Sequence, residues 1–274
     1  MSLDQGSRSV KSASAEERFR REAEYFDAEE YATGPLDPRT IERYQGCKKP
    51  WFSNEYLFRM VGDLRGKRVL EIGCGGGGNS VLLAKKGATV VAVDISEAAI
   101  SAARELARAN DVESQVQFQC APFELFEPQG RFDVIFGEAV LHHVLPELEN
   151  VLDKLSKLAK PGAIFVFKEP VNIWPLWRRF RLALPIATAG TPDERPLEVR
   201  ELNLISKKLS DFQIRYFDTL GRLGRFVLIN CNFERSSALR RGITEMFCLT
   251  DYFFLSFWPF KKVAGSCVIS GKAR

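Results

Sequence analysis

The chain has 274 residues, 45% of them hydrophobic, and a mildly basic formal net charge of +4 at pH 7. This length is enough to bury a substantial core, and the modest, scattered charge permits nucleic-acid binding without indicating it. The six cysteines form no C-x-x-C pair and the only two histidines are adjacent, which argues against a structural zinc site.

The N-terminal end predicts neither a signal peptide nor a membrane anchor. Residues 1–14 are polar and serine-rich, which is typical of a disordered tail. The longest apolar run, 246–260, contains Asp251 and Pro259. It falls short of the about 20 residues that a membrane-spanning helix needs. Because the cysteines also lack disulfide spacing, we expect a cytoplasmic protein.

Three helices are predicted before the first strand. A charged helix covers 16–30 and is ended by the glycine and prolines of 34–38. Two further helical segments cover 39–44 and 51–61. We expect residues 15–64 to form a helical lid over the site described below.

From residue 67 onward, strand and helix patterns alternate. Strands are predicted at 67–72, 89–93, 115–119, 132–136 and 163–167, with helices at 77–86, 96–109 and 146–158. This alternation predicts a parallel sheet with right-handed crossovers. A helix at 197–209 then precedes strands at 212–217 and 265–271.

The most informative segment is the glycine-rich turn after the first strand. Residues 69–78 read V-L-E-I-G-C-G-G-G-G, and the next strand ends on Asp94, 21 residues after Gly73. Glycine lets the backbone approach a ligand closely and tolerates positive φ. An acid at that strand end can accept hydrogen bonds from both hydroxyls of a ribose. The pattern therefore predicts a site for an adenosine-containing cofactor.

Glu71 distinguishes between the adenosine cofactors. Gly73, Gly75 and Gly78 also satisfy the dinucleotide pattern G-x-G-x-x-G. A carboxylate two residues before the first glycine would, however, repel a pyrophosphate and attract the ammonium group of an amino-acid tail. E-x-G-x-G-x-G, followed by an apolar strand that ends in Asp94, resembles the class I S-adenosylmethionine (SAM) methyltransferases.

Three further segments resemble the same family, in the family's order. They are 117–121, similar to the third strand and the loop over the adenine, 132–144, similar to the fourth strand and the start of its helix, and 158–167, similar to the strand before the substrate pocket. The resemblance implies an α/β, Rossmann-like, seven-stranded sheet, mostly parallel with one antiparallel strand. N-terminal helices and a helical, aromatic cap would complete it. The SAM-binding domain would cover 65–274, with cap insertions at 170–196 and 219–261.

The resemblance also implies cofactor contacts at the carboxyl ends of the strands. Glu71 would face the methionine ammonium, Asp94 would take the ribose hydroxyls, and Ile95 would pack on the adenine. Ala121 would present its amide to the adenine ring, and Glu138 its backbone to the methionine. The expected cofactor residues are Glu71, Gly73, Cys74, Gly75, Asn79, Asp94, Ile95, Cys120, Ala121 and Glu138.

One residue departs from the family pattern. The family usually has an acid that bonds the adenine amino group at the position of Cys120. A thiol is a weaker hydrogen-bonding partner than a carboxylate. Cys120 would therefore bind the adenine amino group more weakly than the family's acid does.

Methyl transfer from a sulfonium needs no metal, because alignment of an already activated donor does much of the work. A hydroxyl acceptor benefits from a general base, and His142 and His143 follow the fourth strand. Adjacent helical residues point about 100° apart, so at most one ring can face the methyl group. The alternative is that both rings pack or cap. Glu169 can orient a hydroxyl or amine, or pair with a Lys or Arg.

Aromatic side chains are concentrated in the two insertions. We expect them by default to form the core of a cap. The alternatives, in order, are the lining of a pocket for a large apolar acceptor and a membrane-surface patch from Trp174, Trp177 and the arginines of 178–181. The candidate acceptor residues are Tyr25, Tyr44, Trp51, Trp174, Trp177, Phe254 and Trp258.

These observations predict a SAM-dependent methyltransferase that acts on a small or lipid-like apolar acceptor, with oxygen as the favoured acceptor atom and no metal. Methylation of RNA or protein is an alternative, but the chain has no appended nucleic-acid module and no N-P-P-Y motif at 137–140. A non-catalytic SAM-binding protein is another, against which Glu71 and Asp94 argue. We expect no nucleic-acid partner, and the oligomeric state does not follow from the sequence.

Overall fold

The computed structural model describes residues 16–174 and 195–274. Within these residues, seven strands form one sheet in the order β3-β2-β1-β4-β5-β7-β6. The strands are β1 (Arg68–Ile72), β2 (Thr89–Asp94), β3 (Val116–Cys120), β4 (Phe132–Glu138), β5 (Ala159–Pro170), β6 (Leu209–Phe217) and β7 (Ser266–Ala273).

The pairing of the strands confirms the predicted sheet. β3, β2, β1, β4 and β5 are parallel neighbours. β7 runs antiparallel to both of its neighbours, β5 and β6. The carboxyl ends of the five parallel strands therefore meet at one edge of the sheet, where ligands of such sheets bind.

Helices cover both faces of this sheet. They are α1 (residues 16–27), α2 (Pro38–Gly46), α3 (Ser53–Met60), α4 (Gly78–Lys85), α5 (Glu97–Ala109), α6 (Leu148–Leu158), α7 (Val199–Lys208), α8 (Gly224–Val227), α9 (Ala238–Phe254) and α10 (Trp258–Lys261). None of the helices in 16–174 and 195–274 is long and apolar enough to cross a bilayer.

The core lies on both faces of the sheet, because the central strands carry buried apolar side chains on both faces. In β1, Leu70 packs into one hydrophobic cluster, and its neighbour Val69 packs into the other. Phe136 and Phe165 are likewise fully buried, each on a different face. This two-sided burial makes the sheet a firm support for the loops at its carboxyl edge.

Most predicted elements differ from the structure by one to three residues at an end, and β5 differs by more. β5 begins at Ala159 and ends at Pro170, because it pairs with β4 on one side and with β7 on the other. The helix expected to start beside the two histidines begins only at Leu148, after a turn over 141–144. Trp177 and the tail 1–14 lie outside the described residues.

The insertion over 219–261 packs against the lid helices through a few specific contacts. Arg43 of α2 donates to Glu234 at 3.1 Å, and the rings of Phe52 and Phe233 lie 5.2 Å apart. The expectation that the aromatic side chains here form a cap core is wrong for much of the segment. Phe254 is 46% exposed, because the buried face of α9 is formed by other residues, and Trp258 of α10 is 70% exposed.

Candidate active site

The glycine turn is shaped by contacts on one side and open on the other. Gly73 has a φ of 64°, and a Cβ atom there would lie 2.6 Å from Cγ2 of Val140. Gly75 has a φ of 49°, and a Cβ atom there would meet nothing within 4 Å. The amides of Gly73 and Cys74 donate to the carbonyl of Val93. They are therefore not free to donate to a cofactor, and the open side of the turn is at Gly75.

Asp94 closes this turn from the end of β2. One carboxylate oxygen accepts the Gly75 amide at 2.7 Å, and the other accepts the Ser96 amide at 3.0 Å. Burial raises the pKa of Asp94, and the two amide hydrogen bonds oppose that rise. Because a carboxylate has about four acceptor positions, two amides leave room for ribose hydroxyls.

Glu71 is a buried acid beneath the same turn. Its side chain is 1% exposed and accepts a hydrogen bond from the Ser80 hydroxyl of α4. Burial raises the pKa of Glu71 to about 8, with the nearby carboxylates of Glu138 and Asp94 adding to the effect. A cation placed here would relieve that unfavourable burial.

A polar network joins the ends of β4 and β5 to the lid helices. Glu138 accepts the Asn79 amide group at 2.9 Å and the Lys168 ammonium at 2.9 Å. Lys168 also donates to Asn54 of α3. Burial alone would lower the pKa of Lys168, but Glu138 raises it to about 12. Asn79, which was expected to contact the cofactor, is instead bonded to Glu138.

Lys168 and Asn54 were not predicted as site residues. Lys168 lies directly opposite Glu138 in the register of the β4–β5 pair. A charge of opposite sign at the end of each of two adjacent strands is the sequence signal that could have identified this pair. Asn54 gave no such signal, because its contact depends on how the lid packs.

The adenine end of the site differs from expectation at Ala121. The Ala121 amide donates to the carbonyl of Asp94 at 2.9 Å, extending the β2–β3 pairing, so it is not available to the adenine ring. The Cys120 side chain is exposed, with its sulfur 3.5 Å from the Ile95 carbonyl oxygen. Ile95 itself is half-buried next to Asp94.

Glu169 organises the turn that carries the two histidines. It is fully buried and accepts the amides of Val140 at 3.0 Å and Leu141 at 2.8 Å. It also bonds Nδ1 of His142 at 2.9 Å. Neither expected role, direct contact with an acceptor or a pair with Lys or Arg, matches this position. The amides held by Glu169 keep the chain out of a helix here, so the rings of His142 and His143 lie 4.1 Å apart rather than diverging.

The lid helix α1 contacts these loops. Phe26 packs edge-to-face on His143 at 5.5 Å, and Asp27 accepts the Ser96 hydroxyl at 2.6 Å. The ring of Tyr31 packs on Gly76, where a Cβ atom would lie 2.8 Å from it. Tyr31 was not predicted, because it lies outside the expected helix.

The other candidate acceptor residues are scattered. Tyr25 packs on Phe26, and Tyr44 lies half-buried beside Asn54 and Lys168. Trp51 lies between α2 and α3, Trp174 is exposed, and Trp177 is outside the described residues. Within the described residues, no group of three or more His, Cys, Asp or Glu side chains is arranged to hold a metal ion.

Comparison with known proteins agrees with this geometry. Residues 63–202 match the family model described as a methyltransferase domain. The ubiquinone biosynthesis O-methyltransferase of Acinetobacter baylyi is 26% identical over 215 residues, 68% of this chain and 88% of that one. The protein of the same name from Coxiella burnetii is 38% identical over 105 residues, 38% of this chain and 44% of that one. The chain thus spans less than half of the Coxiella relative's length.

Solved structures share the fold at low sequence identity. The geranyl diphosphate C-methyltransferase of Streptomyces coelicolor aligns with a TM-score of 0.61 and 16% identity, covering 94% of this chain and 98% of that one. The [4+2]-cyclase SpnF aligns with a TM-score of 0.52 and 17% identity, covering 80% and 79%. At such identities the similarity concerns the fold alone.

Proposed function

The chain belongs to the class I SAM-dependent methyltransferases, and we propose that it methylates a hydroxyl oxygen of a small, lipid-like, largely apolar acceptor. The observation that carries the choice of oxygen is the His142–Glu169 pair, held in the turn that packs on the glycine loop. The names of the Acinetobacter and Coxiella relatives, both O-methyltransferases of ubiquinone biosynthesis, support the same acceptor atom.

The residues at the edge of the sheet fit SAM. Gly75 leaves open space where a larger residue would place a Cβ atom, and Asp94 keeps acceptor positions for a ribose. Glu71 is a buried acid that a ligand ammonium would stabilise. When bound, SAM supplies a methyl group on a positively charged sulfur, which makes that methyl group electrophilic.

His142 is the residue suited to take the acceptor proton. Glu169 accepts backbone amides, which an ionised carboxylate does best, so the proton of the His142–Glu169 bond resides on Nδ1. Nε2 of His142 then carries a lone pair that can accept a hydroxyl proton as the acceptor oxygen is methylated. Glu169 is a positioning residue in this proposal, because it reaches the reaction through His142.

The lid supports this chemistry by excluding water. Phe26 covers His143, and Tyr31 covers Gly76, so α1 and the segment after it lie over the cofactor edge. Removing water from the site strengthens each electrostatic interaction there and protects the donor from hydrolysis.

A turnover screen tests the proposal. The full chain is incubated with SAM and four sets of acceptors: catechols or phenols with an isoprenoid tail, the same rings without the tail, their methyl ethers, and matched amines. Mass spectrometry should show a gain of one CH₂ unit only where a free hydroxyl is present, with the tailed compounds preferred. Asp94→Ala serves as the control that lacks the ribose contact.

Each other result has a distinct meaning. Methylation of the ethers would indicate a carbon acceptor, and methylation of the amines alone would indicate nitrogen; both contradict the proposed oxygen. Equal turnover of tailed and untailed rings would contradict the lipid-like acceptor. Binding of SAM without turnover in any set would favour an RNA or protein acceptor, or a non-catalytic role.

A further inference from the structure

Helix α9 buries a face of small and polar side chains and leaves its apolar face uncovered by the described residues. Thr244, Cys248 and Asp251 face the interior. Met246 and Phe253 lie on the other side of the helix and are exposed, Phe253 to 60%. The apolar face of a helix in a globular protein normally packs against the core. The outer face of α9 therefore requires an explanation beyond the packing of the described residues.

The apolar face continues past the end of α9. We define the aromatic surface as Met246, Phe253, Phe254, Phe257, Trp258 and Phe260, all of them exposed. Its rings contact one another, with centroids 5.3 Å apart for Phe253 and Phe257 and 5.5 Å apart for Phe254 and Phe260. The four phenylalanine rings thus form a cluster at the surface that none of the described residues buries, and Met246 and Trp258 are exposed on the same segment of the chain. A contiguous exposed cluster of this kind marks an interaction site.

The segment that carries the aromatic surface is mostly positively charged. Residues 219–262 contain seven Lys and Arg against three Asp and Glu, a net charge of +4, which equals the net charge of the whole chain. The acids point inward: Glu234 bonds Arg43, Glu245 bonds Lys49, and Asp251 accepts backbone amides. The cations that remain at the surface are Arg225, Arg235, Arg240 and Lys262.

We propose that the aromatic surface binds the face of an anionic lipid bilayer. Aromatic side chains insert at the boundary between head groups and acyl chains, and flanking Lys and Arg pair with anionic head groups. A second copy of this chain is a poorer occupant, because a symmetric contact would place the same uncompensated cations against each other. The inference does not depend on which acceptor is methylated.

Vesicle sedimentation tests this directly. The full chain is mixed with vesicles of phosphatidylcholine and with vesicles of an equal mixture of phosphatidylcholine and phosphatidylglycerol. We expect strong binding to the mixture, weaker binding to phosphatidylcholine, and a loss of the difference at high salt. The double variant Phe253→Ser, Phe257→Ser should lower the partition coefficient at least about tenfold, because it removes two inserting rings.

Matched variants separate this effect from a general change of the surface. Leu125→Ser removes a side chain that is 67% exposed near the opposite edge of the sheet, and should bind vesicles like the unmodified chain. Lys262→Glu should weaken binding to the anionic mixture, whereas Lys157→Glu, an exposed site on α6, should not. Unchanged thermal unfolding of each variant verifies that it is folded.

Three results would overturn the inference. One is no binding of the unmodified chain to the anionic mixture, and another is a double variant that binds as well as the unmodified chain. The third is self-association, seen by sedimentation velocity, that the double variant abolishes while vesicle binding is absent; the occupant would then be a second copy. All three readouts are independent of methyl transfer, so their failure would leave the proposed function untouched.

Discussion

Glu169 bonds Nδ1 of His142 at 2.9 Å while the same carboxylate accepts the amides that shape the turn carrying that histidine. One buried acid at the end of β5 therefore fixes the position of the His142 ring. The carboxylate is too deeply buried to meet an acceptor itself, whereas the side chain of His142 is 11% exposed. This separation between an orienting acid and the proposed base leads to the first prediction.

His142→Gln should lower kcat by about 10²- to 10⁴-fold, the usual contribution of a general base. Its dissociation constant for SAM should stay near that of the unmodified enzyme, because no cofactor contact is removed. Steady-state kinetics and calorimetry measure the two quantities. His143→Gln is the matched control in the neighbouring ring and should lose much less. A His142→Gln enzyme with unchanged kcat would mean that the hydroxyl loses its proton without this side chain.

Glu169→Gln should also lower kcat, because it disturbs the turn that positions His142. A glutamine offers amide hydrogens to a turn whose own amides need acceptors, so we expect a lower unfolding temperature as well. The restoring variant is Glu169→Asp, which keeps the charge and should recover part of both losses. If Glu169→Gln reduced kcat without any change in unfolding temperature, the acid would not organise the turn.

Asp94→Ala should weaken SAM binding more than tenfold, because hydrogen bonds to a charged acceptor are each worth about 1.5–3 kcal/mol. The variant also releases the amides of Gly75 and Ser96, which adds to the loss. Calorimetry with SAM and with its demethylated product measures it. Asp133→Ala is the control: this carboxylate lies at the opposite end of β4, bonded to Arg68 and Lys160, and should not affect SAM. Equal affinity of both variants would place the nucleoside elsewhere.

The sequence could predict the sheet and the cofactor edge because both depend on local patterns. Apolar runs give the strands, and the glycines and Asp94 lie within one strand–turn–helix–strand unit. The partners of Glu169, Asn79 and Ala121 could not be predicted in this way. Their hydrogen bonds depend on the register of neighbouring strands and on the exact turn after β4, neither of which is written in a local pattern.

The aromatic insertion was misread for a related reason. Phe and Trp residues indicate burial on average, but the sequence does not say which face of α9 meets the sheet. In the structure that face is formed by small and polar residues such as Thr244, Cys248 and Asp251. The large aromatic rings are exposed to solvent, so the prediction of burial from composition alone was wrong for them.

Glu71 should make the stability of the ligand-free protein fall as pH rises. Its folded pKa is about 8 against an unfolded value of 4.5, so the folded state holds a proton that the unfolded state loses. This contribution to the unfolding free energy is complete below pH 4.5 and is lost progressively as the pH rises to about 8. The slope is at most about 1.4 kcal/mol per pH unit. Urea unfolding of the unmodified chain and of Glu71→Gln, compared at each pH, isolates this contribution.

If the difference in unfolding free energy between these two proteins does not vary with pH, Glu71 is not the titrating group. The same pKa gives a test of its role toward SAM. An ammonium next to Glu71 favours the carboxylate, so binding at pH 7 should release up to one proton. Calorimetry in buffers of different ionisation enthalpy detects that proton, and Glu71→Gln should abolish it.

Removing only one partner of the Glu138–Lys168 pair should destabilise the folded protein. Lys168→Met leaves Glu138, whose side chain is 23% exposed, without its cation and should lower the unfolding free energy by about 1–3 kcal/mol. The double variant Glu138→Gln, Lys168→Met should recover most of that loss, since no unpaired charge remains. Urea unfolding measures both. Arg65→Met, in the exposed pair with Asp63, is the control and should change little. An additive double variant would show that the two groups do not interact.

Asp27 should hold the lid closed over the cofactor edge. It accepts the Ser96 hydroxyl at 2.6 Å and the Ala98 amide at 3.1 Å, next to the amide that Asp94 binds. SAM should therefore increase hydrogen-exchange protection over residues 16–60, and Asp27→Ala should reduce that gain by roughly tenfold, the worth of two hydrogen bonds. Glu17→Ala, which removes only an exposed pair on the same helix, should keep it. If residues 16–60 gain no protection in the unmodified chain, these helices pack on the sheet without responding to the cofactor.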